Sequence, residues 1–505
     1  MATKVIKEPN EVKQGFPLKL TRNGLIEVII LTLIIAVALF LRLQPLQWGA
    51  YLNEYDPFFN YRAADYVAKN GYAAWYSWID TLSWYPMGRD ISLQSYPGIP
   101  FSGVLVWQLT NAVGIKADLY SVCLYFPLLM AGITVVIVYF LGKDLAGGAA
   151  GLFSALLIAL NPSYISRTVV GFFDTENIGI LAIASTSLCF LRSIDGKRGL
   201  PERIIYAVFG GVAYGWLNAS WGAARYIPGL LALFIVLSII TGKYEANQIT
   251  SYSIVNGIGL LIAGLYVPHL GWSYFLNVEN LAAIGVVAFA IIYDNLKTRM
   301  GDKKLRITLL AGLLLIGTLI IALPLVGIGN AIGGKFLRVL NPFEETNVLF
   351  NSVGEHKLST WANFFEDWGI ALALGLLGAY YAVKNLDVKK LFMLLFYLTA
   401  LYFSGTLVRI LLIFAIPGAI MASYGLIEVM TPFNMAIAAP NETERKKRVV
   451  FGVNKIAAIV FLVVICISFI PQVFIASTNA NQPGPYADSM VPIYLNGKFP
   501  DDWHK

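Results

Sequence analysis

About thirteen apolar runs, each long enough to cross or nearly cross a bilayer, follow one another along this chain. They begin near Gly24, Tyr120, Ala146, Ile178, Ile204, Tyr226, Ser251, Leu281, Ile307, Trp368, Leu391, Thr406 and Ile456. A helix rising ~1.5 Å per residue needs roughly 20 residues to span a ~30 Å hydrocarbon core. The nearly unbroken stretch 391–430 is about twice that length, so it is divided between Ser404 and Gly405. With 57% hydrophobic and only 13% charged residues, the chain reads as an all-α polytopic membrane protein with large outer loops.

The net charge of +7 does not signal nucleic acid, because no basic patch is interleaved with solvent-facing aromatics. It reflects loop bias. The N-terminal tail 1–23 and the segments GKRGLPER, NLKTRMGDKKLR, KNLDVKK and ETERKKR carry most of the Lys and Arg, which assigns them to the cytoplasm. The loops 44–118, 161–177 and 327–366 and the tail 472–505 then share the opposite, outer face. Cys123, Cys189 and Cys466 lie inside apolar runs without metal-ligand or disulfide spacing. His269, His356 and His504 are too scattered for a histidine-rich zinc site.

Carboxylates gather on that outer face. NEYDPFFNYR at 53–62 presents Asp56, and GFFDTEN at 171–177 presents Asp174 and Glu176. Each motif lies just beyond an apolar run, where acids are costly to hold near hydrocarbon. If the two mouths face each other, they make a hard-oxygen cation site. Asp174 has a plainer reading as the cap of the helix starting near Ile178. The loop 44–118 carries WYSWIDTLSWYPMGRD, suited to an interfacial aromatic belt. The loop 327–366 carries Glu355 within NSVGEHKLSTW; at about forty residues it is long enough to be functional. Arg409, in SGTLVRILLIF, is an arginine inside an apolar run, a functional signal unless it pairs with an acid.

NEYDPFFNYRAADY, SWYPMGR with SYPG, PSYISRTVVGFFDTEN, NSVGEHKLSTWANFFED and SGTLVRILLIFAIPGA occur in this order. Together they resemble the catalytic subunit of oligosaccharyltransferase, the enzyme of asparagine-linked glycosylation, across 24–471. The resemblance implies a GT-C-type glycosyltransferase architecture and a metal-dependent transfer of an oligosaccharide from a polyisoprenyl (dolichyl) phosphate or diphosphate to the side-chain amide of Asn in N-x-S/T. It also implies a soluble domain with a Trp-Trp-Asp-Tyr-Gly motif. No such motif lies in the sequence, and 472–505 reads as the start of that domain.

By that resemblance, Asp56, Asp174 and Glu176 hold Mn2+ or Mg2+, oxygen-loving ions that stabilise a leaving phosphate as Lewis acids. Asp56 and Glu355 act on the acceptor amide, whose nitrogen is a poor nucleophile because its lone pair is delocalised. Arg409, Arg167 and Trp221 contact the lipid phosphate or the acceptor. The plainer readings are a solvated loop acid for Glu355, snorkelling to the interface for Arg167 and a belt residue for Trp221. Arg62 and Arg89 are expected to fix the first outer loop against acids. The sequons at Asn218 and Asn441 lie where glycosylation is not expected, one at a membrane turn and one in the cytoplasm.

The implied partners are a lipid-linked oligosaccharide donor, an acceptor polypeptide, membrane lipids and accessory subunits, with no nucleic acid. The active site faces outside an archaeal cell membrane or, less in keeping with a compact single chain, into the endoplasmic reticulum. Two rivals are a lipid-sugar glycosyltransferase acting on other acceptors and a lipid-carrier transporter. The first would not need the SVGEH loop; the second usually shows repeat symmetry or paired broken helices, and neither feature is present in the sequence.

Overall fold

The computed structural model describes residues 21–312, 357–438 and 455–481. Among these, eight helices are long and apolar enough to cross a membrane: Arg22–Trp48, Leu119–Ala146, Gly222–Thr241, Ala246–Tyr266, Glu279–Met300, Val388–Thr406, Val408–Ala438 and Lys455–Ala480. The first begins at a Thr21 cap, whose hydroxyl accepts the Gly24 N–H. Its Leu25, Val28, Ile29, Leu33 and Phe40 side chains point outward, exposed. So continuous an apolar exterior suits lipid rather than water. The chain is an integral, multi-pass membrane protein of all-α class.

Among the described residues the long apolar helices are fewer than the apolar runs, because several runs form helices that are short or carry charge. Gly148–Ala159 and Ile370–Lys384 are apolar but short; twelve residues reach only about 18 Å. Thr175–Ser193 carries Glu176, Asn177 and Arg192, and Leu200–Asn218 carries Glu202 and Arg203, each within nineteen residues, which lowers their apolarity. The run from Ile307 passes out of the described residues. The division of 391–430 falls close to the expected place, because the helix Val388–Thr406 ends and Leu407 turns extended before the short turn Val408–Ile410. The boundary at 471 falls in the first turn of helix Ile470–Ala480.

Helices pack in pairs, with Leu200–Asn218 on Ala246–Tyr266, Thr175–Ser193 on Leu200–Asn218, and Ile370–Lys384 on Leu411–Ala438. The last crossing is backbone on backbone. A Cβ on Gly425 would stand 2.0 Å from the Leu374 carbonyl oxygen, and one on Gly378 would stand 2.1 Å from that of Met421. Membrane helices, lacking a hydrophobic force between them, gain from such close approach.

The two ends of the bundle are built differently. At one end basic loops meet acids across helices: Lys389 Nζ lies 2.9 Å from Asp195, and Arg192 Nε lies 2.7 Å from Asp144. At the other end the segment 44–118 is largely ordered rather than a loop. It forms the helix Tyr55–Asn70, a two-stranded hairpin (β1 Ile79–Asp80, β2 Arg89–Asp90) and the helix Gly98–Ala112. Its aromatics divide. Trp75 and Trp78 are buried, Trp78 stacking on Tyr66 at 4.0 Å, whereas Trp84, Tyr85 and Met87 at the hairpin tip are exposed. Arg62 pairs with Asp80 as expected. Arg89 instead donates to Ser95 and the Gln94 carbonyl and lies over the Phe59 and Trp84 rings.

Candidate functional site

The two acidic segments meet through their backbones. Asn53 N–H donates to the Gly171 carbonyl at 2.9 Å. Gly171 has φ +86, and a Cβ there would lie 2.1 Å from the Tyr51 carbonyl oxygen; only glycine takes that conformation at so close an approach. Deeper in, Asn60 Nδ2 donates to the Phe173 carbonyl and to Asp174 Oδ1, each at 3.1 Å. Asp56 sits in the first turn of Tyr55–Asn70, four residues before Asn60. That spacing puts both on one helix face, so the exposed Asp56 overlooks Asp174. No apolar pattern marks Asn60 as a site residue, and sequence reasoning passed over it.

Asp174 is the cap of helix Thr175–Ser193, accepting the Thr175 N–H at 2.7 Å. The capping reading therefore holds as geometry, and it aims the carboxylate at the Asp56 mouth. Burial pushes the Asp174 acid well above the ordinary aspartate range, and the charges of Glu176 and then Asp56 add to the rise. Glu176 is fully buried. Burial resists its ionisation, but Arg409 and Arg167 outweigh it and hold the carboxyl below the usual range.

Arg409 follows the extended Leu407 at the helix break and places Nη2 2.5 Å from Glu176 Oε1. The acid that the plain reading of Arg409 left unidentified is Glu176. The other oxygen, Oε2, accepts the Thr175 hydroxyl at 3.0 Å. Arg167 lies at the C-terminal cap of the short helix Pro162–Ser166, 3.8 Å from Glu54 and over the Phe172 ring. Glu54 itself stands at φ 69, a conformation that non-glycine residues rarely keep without cause. Its signal, an acid two residues before Asp56, was visible in NEYD and went unread.

Trp221 is buried, and its ring packs against Gly179, three residues after Glu176. In this structure it wedges the turn 219–225 against the acid-bearing helix. Asn218 is fully buried, with Nδ2 donating to the Tyr214 carbonyl and Oδ1 accepting from Tyr274, so that sequon is closed to modification. Glu355, His356 and Asn441 lie outside the described residues.

In kind, these residues suit a hard divalent ion: every donor is oxygen, and three acids share one mouth. In number, the described residues bring together no group of three or more acid, histidine or cysteine side chains close enough to hold a metal. Glu176 is turned to Arg409 and Thr175 instead.

The family described as "Oligosaccharyl transferase STT3, N-terminal" matches residues 25–423. Among curated relatives, the Dictyostelium discoideum dolichyl-diphosphooligosaccharide–protein glycosyltransferase subunit STT3 is 30% identical over 446 residues, 86% of this chain and 60% of that protein. Subunit STT3B of Arabidopsis thaliana is 30% identical over 406 residues, covering 77% and 54% respectively. The chain thus spans a little over half the length of the curated relatives it matches. Among solved structures, the Archaeoglobus fulgidus oligosaccharyltransferase in its apo form superposes with a TM-score of 0.70 at 17% identity, over 95% of this chain and 59% of that one. The enzyme of the same organism in complex with an inhibitory peptide and a dolichol-phosphate gives 0.71 at 17% identity, over 95% and 60%. At that identity the likeness concerns the fold.

Proposed function

The chain belongs to the STT3 family of oligosaccharyl transferases, and from that premise we propose that residues 24–471 are a catalytic membrane unit, flanked by the tails 1–23 and 472–505. It moves an oligosaccharide from a polyisoprenyl (dolichyl) phosphate or diphosphate to the side-chain amide of Asn in N-x-S/T. The observation that carries this is the joining of the 53–62 and 171–177 motifs by Asn53–Gly171 and Asn60–Asp174 hydrogen bonds, with Arg409 paired to Glu176 of the second motif. The names of the relatives support it, as does the dolichol-phosphate held by the Archaeoglobus fulgidus enzyme.

In the reaction, the Asn nitrogen attacks the anomeric carbon as the bond from that carbon to the phosphate oxygen breaks. The phosphate leaves with the bonding pair, and one amide proton is lost, in net terms to the phosphate. Asp56, exposed at the mouth, and Glu355 accept hydrogen bonds from the amide N–H groups and fix the nitrogen. Arg409 and Arg167 face the phosphate, where a planar guanidinium fork suits its oxygens. Glu176 orients Arg409 and lends charge to the site. Asp56 and Asp174, with Glu176 beside them, would hold Mn2+ or Mg2+, which when bound would supply Lewis-acid neutralisation of the leaving phosphate. We place the N-terminus in the cytoplasm and the acidic mouth on the outer or lumenal face, of an archaeal cell membrane or the endoplasmic reticulum, with accessory subunits as further partners.

The test is transfer from a lipid-linked oligosaccharide to a fluorescent N-x-T peptide by the full chain in lipid nanodiscs, with Mn2+ present. Glycopeptide should form with wild type and disappear with Asp56→Ala. Transfer that persists in Asp56→Ala, or that goes to a lipid or free-sugar acceptor and not to the peptide, would sink the reading.

A further inference from the structure

Residues 357–368 are fastened at both ends to segments that carry arginines. At one end Val408 N–H donates to the Lys357 carbonyl at 3.0 Å, and Ser359 N–H donates to that of Gly405 at 3.3 Å. The Ser359 hydroxyl donates to the Ser404 carbonyl at 2.5 Å. Leu407 is extended there, so the two stretches run side by side as paired strands do. The next residue but one is Arg409.

At the other end a capping box of Thr360 and Asn363 starts the helix Trp361–Trp368, which delivers Asp367 into the interior at 5% exposure. Asp367 Oδ1 accepts Ser163 N–H at 3.0 Å, and Oδ2 accepts the Ser163 hydroxyl at 2.5 Å. Its carbonyl accepts Gln472 Nε2 at 2.6 Å. Ser163 lies in the helix Pro162–Ser166, and the residue that caps its far end is Arg167. A carboxylate bound to the first turn of so short a helix fixes it, as capping side chains do. Burying an acid is costly, and the proposed chemistry uses no acid at this place. What its burial delivers is position.

We propose that residues 357–368 are a brace that holds Arg167 beside Glu54 and Arg409 against Glu176, with Asp367 and Ser359 as its two attachment points. Both are positioning residues. The consequence for donor binding rests on the phosphate role given to the two arginines above; the brace itself does not.

Hydrogen exchange on the full chain in nanodiscs separates these. Losing the Ser163 bonds in Asp367→Ala should speed exchange about tenfold at residues 164–167, and speed it measurably at Val408, the far end of the brace. Asp367→Asn keeps an acceptor for the Ser163 N–H and should restore both. Where Asp367→Ala does not accumulate, Ser163→Ala and Ser359→Ala serve: each should loosen the end it does not touch. Exchange that rises only next to the substitution overturns the brace. In transfer assays Asp367→Ala should raise the donor KM about tenfold with kcat within about twofold. Exchange moving at both ends with an unchanged donor KM upholds the brace and refutes the phosphate role of the arginines.

Discussion

Replacing Arg409 by Gln takes the cation away from Glu176, a carboxylate with no exposure, beside a second buried acid, Asp174. Removing one partner of a buried ion pair strands the other, at a cost of about 3–5 kcal/mol. Arg409 is one-third exposed at its side chain, so water screens part of the pair and the lower end, about 3 kcal/mol, is expected. Substituting both residues, Glu176→Gln with Arg409→Gln, removes the stranded charge. The double variant should then recover about 2 kcal/mol over Arg409→Gln alone, a coupling typical of contacting residues. Denaturant unfolding of all four proteins of the cycle in mixed micelles reads this directly. The double variant should still show a raised donor KM, because its arginine is gone. Equal stability of Arg409→Gln and wild type, or simple additivity in the cycle, would refute the account of Glu176 as the anchor of Arg409.

Asp56→Ala should abolish transfer with little loss of stability, since Asp56 is exposed at the mouth; a variant that unfolds instead would assign Asp56 a structural role. Gly171→Ala should cost transfer and stability together, because its Cβ meets the Tyr51 carbonyl oxygen at 2.1 Å and forces the Asn53–Gly171 bond apart, which thermal unfolding and the transfer assay both report. Burial pushes the Asp367 acid up from the ordinary aspartate range to about 7, so the folded state binds its proton more tightly than the unfolded chain. The stability from that proton is full below about pH 4 and is lost as pH rises through about 7, up to about 4 kcal/mol for a shift of about three units. Asp367→Asn should flatten that dependence and match or exceed wild type at pH 8; an unchanged slope between pH 5 and 8 would rule out Asp367 as its source.

The residues themselves determined the membrane class, the helix break beside Arg409 and the family resemblance, because hydropathy runs and ordered motifs are local and survive without coordinates. They also marked Asp174 as a cap and Arg409 as an arginine in want of an acid. That this acid is Glu176, that Asn60 steadies Asp174, that Trp221 packs on Gly179, and that Asp367 reaches Ser163 came only from the folded chain. Each of those contacts joins segments tens to hundreds of residues apart, and a pattern read along one dimension holds no distance between them.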